Sequence, residues 1–428
     1  MTHLPRARAL TLGAATALAL AACSTTDPNQ AGTAAGSGSG SAAGSGEVQT
    51  GNGVTDAEIR IGMLTDLSGP FAAGAAVQVT ETKAYWDQVN AAGGVCDRDV
   101  AVDVQDHGYD PQKAVTLYRS MAPDVIALQQ VLGGPTSAAV LPLAEQDDVY
   151  VGGVGWAGSA LQYANNQLPG ASYAIEGANA IDHLVDGLGV AEGARIGVVY
   201  FAGDYGADVL AGAEHAAEER GVEIVAQEIT SATTDLSAQA SALAQAGVAG
   251  VVLGAAPTQL ASLAGSLASQ GVDVPLIGMN PTFNPSLLTT PARDALLANT
   301  YSITSVAPYS SDAEGVKAAN ELYAQADPDG ALGWEVPLAY VQGELLKQAL
   351  QGACDSGDLT PEGVVAALRE SSSVDTQGLL PDGLDYSQVG QSPTTTVYLS
   401  KVDADAPAGL ALVDELSGPS AESFSYGG

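Results

Sequence analysis

Gly153, Gly155 and Gly158 give the chain one G-x-G-x-x-G after a strand-like run, with Glu176 about where a ribose-binding acid would stand. That spacing suits a dinucleotide, whose pyrophosphate rests on a helix N-terminus reached through a tight glycine turn. Its context does not suit it: three strand candidates precede the loop, Trp156 sits inside the turn, and an irregular stretch, 158–169, follows. The four histidines, His3, His107, His183 and His215, are scattered, and there is no G-x-S-x-G, no H-E-x-x-H and no Cys/His cluster. Neither a nucleophilic triad nor a zinc site is indicated. The expectation is a protein that is not an enzyme and holds no cofactor and no metal. An exported oxidoreductase using the Gly153–Gly158 loop is the rival reading that the motif leaves open.

The N-terminus sets the compartment. Arg6 and Arg8 precede an apolar run from Ala9 to Leu20, and small residues lead to Cys23, the layout of a secretory signal over 1–22. Leu20-Ala21-Ala22-Cys23 resembles the bacterial lipobox. The resemblance implies that Cys23 becomes a diacylglyceryl-modified N-terminus, anchoring the protein on the outer face of the cytoplasmic membrane. Residues 23–53 are mostly Gly, Ala, Ser and Thr, with too little apolar surface to offset ordering entropy, and read as a flexible tether.

The body after residue 53 holds no apolar run of the roughly 18 residues a membrane span needs. Forty-nine acidic against 14 basic residues give a net charge of −35. This excess excludes nucleic acid, whose phosphates require basic patches, and electrostatic adhesion to anionic lipid. With Cys23 set aside, Cys96 and Cys354 remain, and an even remainder in an oxidising compartment predicts one disulfide.

Short apolar runs alternate with longer Ala/Leu-rich amphipathic stretches, the pattern of parallel sheets covered by helices. Strands are expected at 58–63, 100–105, 125–129, 149–154, 196–200, 223–227, 250–253 and 275–277. Helices are expected at 75–92, 111–121, 136–146, 178–188, 206–220, 236–245 and 259–270. Asp110 before Pro111 marks a helix start, and Gly221 and Gly271 mark helix ends. The alternation restarts at Ile196, as a second doubly wound unit would. After Gly278 the rhythm changes to a strand at 300–305, helices at 313–325, 337–351 and 361–370, and a hairpin over 394–402 and 409–413. The fold class is therefore α/β: two doubly wound Rossmann-like lobes joined by a multi-strand hinge. The expected organisation is 54–176 for the first part of lobe 1, 177–302 for lobe 2, 303–384 for the return to lobe 1, and 385–428 for the hinge return and C-terminal strands. Crossings are placed near Gly177, Ser302 and Leu384.

Specific runs add a resemblance. Ile59 to Pro70 (IRIGMLTDLSGP), Val89 to Cys96 (VNAAGGVC), Asp106 with Asp110 to Val115 (DPQKAV), Gly203 to Gly206 (GDYG) and Ala331 to Trp334 (ALGW) resemble type I periplasmic binding proteins of the leucine/isoleucine/valine-binding branch. The similarity spans about Ile59 to Tyr398. It implies a Venus-flytrap receptor that captures a small solute and delivers it to the permease and ATPase of an ABC transporter, working as a monomer without chemistry of its own. A sensor acting on a regulatory partner is the alternative within the same fold.

The resemblance also implies where the solute sits. One lobe of the family offers hydroxyls and amides from two loops, here Gly133, Gly134 and Thr136, then Gly155, Trp156 and Ala157. Gly134 and Ala157 stand where the usual serine and threonine would. The other lobe's ammonium-pairing acid is replaced by Asn280, an amide that hydrogen-bonds but cannot neutralise a cation. Aromatic residues at loops or helix starts, Phe71, Trp156, Tyr205, Phe283 and Trp334, are expected to wall the cleft, suiting a neutral, planar or partly apolar solute.

Overall fold

The computed structural model describes residues 48–427. The signal, Cys23 and most of the tether lie outside the described residues. The expected tether ends earlier than Gly53: Gln49–Thr50 form β1, a two-residue strand paired far along the chain. Then come β2 (Glu58–Thr65), α1 (Ala72–Ala91), β3 (Asp99–Asp106), α2 (Pro111–Met121), β4 (Ala127–Leu132), α3 (Gly134–Gln146), β5 (Tyr150–Val154) and β6 (Asn166–Gln167). These give a parallel sheet in the order β3-β2-β4-β5-β6. Every residue of β4 and β5 is buried, because helices cover both faces of a parallel sheet. At α2 the Asp110 carboxylate accepts the N–H groups of Gln112 and Lys113 at 2.8 and 3.2 Å, with Pro111 in the first turn.

The chain crosses to the second lobe and forms α4 (Tyr173–Asp182), β7 (Arg195–Phe201), α5 (Asp204–Arg220), β8 (Glu223–Ile229), α6 (Ser237–Ala246), β9 (Gly250–Gly254), α7 (Pro257–Ser269), β10 (Leu276–Gly278), α8 (Arg293–Asn299) and β11 (Thr300–Thr304). It crosses back to form α9 (Glu314–Ala326), α10 (Glu335–Asp355), β12 (Asp358–Leu359) and α11 (Pro361–Glu370). Of these, α9 and α10 pack on α1, and β12 pairs with β1. A third crossing leads to β13 (Val397–Val402), β14 (Leu410–Leu416) and α12 (Pro419–Ser423). The second sheet therefore runs β14-β13-β11-β10-β9-β7-β8, parallel except for the antiparallel pairs of β13 with β11 and β14.

Gly177 does not mark a crossing: it lies inside α4, where an added Cβ would stand 2.4 Å from the Val209 carbonyl oxygen of α5. The crossings lie side by side elsewhere. The Ser305 hydroxyl donates to the Ala171 carbonyl at 3.4 Å, and the Ser172 N–H donates to the Ser392 hydroxyl at 3.0 Å. The expected disulfide is present, joining Cys96 after α1 to Cys354 near the end of α10. No helix among the described residues is long and apolar enough to cross a membrane.

Candidate ligand-binding cleft

In doubly wound sheets ligands lie beyond the strand C-termini where the strand order reverses. The first sheet reverses between β2 and β4, the second between β7 and β9. The loops after these strands carry Phe71, Gly133 and Ala255, and Tyr205 stands in the first turn of α5 just beyond β7. The buried Asp66 carboxylate accepts the N–H groups of Gly69 at 2.5 Å and Phe71 at 2.9 Å, which fixes the β2–α1 turn. Phe71 then packs 5.0 Å from the Tyr109 ring. Gly133 has φ +99°, and an added Cβ would stand 2.4 Å from Tyr109. Its N–H donates to the Val154 carbonyl at 2.8 Å, and a Cβ on Gly155 would reach the Gly134 nitrogen at 3.1 Å. The two loops are thus in backbone contact, with open space beside Gly134.

Trp156 is buried, donates its indole N–H to the Pro169 carbonyl at 2.9 Å, and meets Tyr173 and Trp334 edge-on at 6.0 and 6.3 Å. Tyr173 lies 4.3 Å from Tyr205, whose hydroxyl donates to the Ala255 carbonyl at 3.3 Å. Rings from the two lobes therefore form one wall at their seam. Beside it, the fully buried Glu176 carboxylate accepts the Asn280 N–H and the Ser305 hydroxyl, each at 3.1 Å. Burial pushes this carboxyl well above its ordinary range, favouring the neutral acid. The Asn280 side chain is 2% exposed, and neither its oxygen nor its nitrogen has a hydrogen-bond partner. Such an orphaned amide costs about 1–3 kcal/mol. A solute that pairs with it recovers that cost.

The structure thus brings Phe71, Gly133, Gly134, Gly155, Trp156, Tyr205 and Asn280 toward one seam. Gly134, Gly155 and Ala157 also line a recess of about 180 Å³ with Leu141, Tyr163 and Asp204. Two expected contacts are corrected. Thr136 turns its hydroxyl inward onto the carbonyls of Leu132 and Gly133, leaving none for a ligand. Phe283 is 3% exposed and packs in the second lobe's core with Leu287, Leu288 and Gly409. Nor does the Gly153–Gly158 loop open an α-helix: it leads to one short turn, Gly158–Ala160, and Glu176 is engaged with Asn280 and Ser305. Tyr109 and Tyr173 were not among the expected wall residues. Tyr173 fell between the strand expected at 149–154 and the helix expected at 178–188, and Tyr109 adopts φ +63°, which residue type does not announce. Among the described residues no cluster of three or more His, Cys, Asp or Glu side chains is placed to hold a metal.

Comparison with known proteins agrees with this architecture. A family model described as periplasmic binding protein matches residues 58–407. The chain belongs to that family, as a type I periplasmic binding protein like those of the leucine-binding branch. A fatty acid ABC transporter substrate-binding protein from Thermomonospora curvata is 34% identical, with 88% of this chain and 97% of that one covered, at a TM-score of 0.83. A branched chain amino acid ABC transporter from Thermus thermophilus with bound valine shares the fold at 16% identity, covering 87% and 98%, with a TM-score of 0.75. So does a solute binding protein of an ABC transporter from Rhodopseudomonas palustris HaA2 in complex with p-hydroxybenzoic acid, at 17% identity, covering 85% and 98%, with a TM-score of 0.72. A comparison with curated protein sequences returns no match.

Proposed function

We propose that this chain is the substrate-binding lipoprotein of an ABC importer, anchored through Cys23 outside the cytoplasmic membrane. It closes its lobes on a small, partly apolar solute, an amino acid, amide or related compound, and delivers it to the permease without chemical change. Phe71, Gly133, Gly134, Gly155, Trp156, Ala157, Tyr205 and Asn280 form the contact set, joined by Tyr109 and Tyr173. The observation that carries the reading is the orphaned Asn280 amide beside aromatic rings from both lobes. A ring wall and an uncharged amide favour an apolar body with one hydrogen-bonding end over a free ammonium group. The name of the 34% identical neighbour, a fatty acid binder, supports the apolar part and adds aliphatic acids to the candidates.

The test is a thermal-shift series on residues 47–428, which form one compact unit. The probes are leucine, valine, butyramide, p-hydroxybenzoate and decanoate. A probe at about 100 times its Kd adds roughly 2.7 kcal/mol to stability. The expected result is a larger shift from butyramide, p-hydroxybenzoate or decanoate than from leucine or valine, abolished by Asn280→Ala. If leucine gives the largest shift and Asn280→Ala leaves it intact, the assignment of the polar contact is wrong.

A further inference from the structure

We infer that Asp208 and Tyr426 are positioning residues of the cleft, a clasp that holds the loop carrying Gly155, Trp156 and Ala157 against the second lobe before any solute binds. The importance of that loop rests on the binding reading above; the clasp itself rests on geometry. Asp208 lies on α5, one turn after Asp204, and its Oδ2 accepts three hydrogen bonds. They come from the Gly158 N–H at 3.1 Å, the Ala174 N–H at 3.0 Å and the Tyr426 hydroxyl at 2.8 Å. Gly158 opens the turn that continues the Gly155–Ala157 loop, and Ala160 of that turn is buried in the first lobe's outer core. Ala174 and Asp208 belong to α4 and α5, which pack together in the second lobe. One carboxylate oxygen therefore spans the seam. Asp204 reinforces it by accepting the Ser159 hydroxyl at 3.1 Å.

Tyr426 reaches this seam because the segment before it is tied down. Gly418 donates its N–H to the Asn179 side chain at 2.8 Å. Ser420 gives its N–H and hydroxyl to the buried Asp182 carboxylate at 2.9 and 2.8 Å. Phe424 packs edge-on to His215 at 5.4 Å and to Tyr426 at 5.1 Å. The Tyr426 hydroxyl lies within 2.8 Å of the Ser172 hydroxyl at the first crossing. Its ring lies on Gly158 so closely that an added Cβ would stand 2.0 Å from it. When the first lobe rotates away, Gly158 and Ser159 leave, while Ala174, Asp208 and Tyr426 stay with the second lobe.

Hydrogen exchange read by mass spectrometry on the full chain without ligand tests this, so its outcome is independent of which solute is bound. Tyr426→Phe and Asp208→Ala are compared with the wild type. Loss of one such bond raises local opening roughly three- to tenfold. The expected result is that rise confined to the segment 155–163, with the amides of β7 and β9 exchanging as in the wild type. Unchanged exchange at 155–163 in both variants overturns the clasp. An equal rise in β7 and β9 does so too, because it reports general destabilisation.

Discussion

Replacing Glu81 by Gln raises the unfolding free energy at pH 7 by about 2 kcal/mol and flattens its decline between about pH 5 and 8. Glu81 sits on the inner face of α1 with Gln78, Thr82 and Tyr85, all buried, and neither of its carboxylate oxygens has a hydrogen-bond partner. Burial raises its pKa to about 8 from an ordinary 4.5. The folded state therefore keeps a proton that the unfolded chain has released. Stability falls as pH rises from the unfolded value toward the folded one, by about 1.4 kcal/mol per pH unit, and levels off above it. At pH 7 this amounts to roughly 3 kcal/mol, and a glutamine amide lacking a full set of partners returns about 1 of them. Buried Glu335 and half-buried Asp208, raised by desolvation to about 7 and about 6, bend the wild-type curve in the same direction. Urea unfolding at pH 5, 7 and 8 reads the effect as midpoint shifts at constant slope. Parallel wild-type and Glu81→Gln curves across that range would show that Glu81 is charged and solvated in the fold.

Trp156→Ala couples the largest packing loss to the cleft. The residue is 1% exposed, bridges Tyr173 and Trp334, and holds the Pro169 carbonyl just before the first crossing. Truncating a buried tryptophan costs about 3–5 kcal/mol. Removing a wall of the site also abolishes the thermal shift from whichever probe binds the wild type. Trp156→Phe keeps one six-membered ring but loses the fused five-membered portion with its N–H, so its cost falls to about 2 kcal/mol and the ligand shift survives. Full ligand shifts in Trp156→Ala would remove this residue from the binding wall and leave it a core residue.

Much of the fold was legible because its signals are local. The proline and aspartate at the start of α2 and the left-handed Gly221 after α5 act through the backbone within a few residues, and the structure has both elements where expected. Helix α4 was placed late because all its residues are buried, so no polar face marks its start at Tyr173. The pairs β1 and β12, two residues each, exist through their partners, and no period runs through so short a piece. The same division holds at the cleft. Asn280 was placed through the family resemblance, in the loop after the strand expected at 275–277, and the structure has it just after β10 with its N–H on Glu176. The inward turn of the Thr136 hydroxyl was not, since threonine at a helix start competes for nearby carbonyls whatever the cleft needs. Loop position likewise gave Phe283 a place in the chain but no direction for its ring.

The pairing of Gln49 and Thr50 with Asp358 and Leu359 has a mechanical meaning. Tension drawn through the chain ahead of Val48 enters the first lobe at this short ladder. It is loaded in parallel with the neighbouring Thr360 turn, a few residues beyond the covalent Cys96–Cys354 tie. None of the three interlobe crossings lies on that load path. With the anchor proposed at Cys23, the strain of being held falls on the first lobe, and the three crossings are left free to serve the proposed closure.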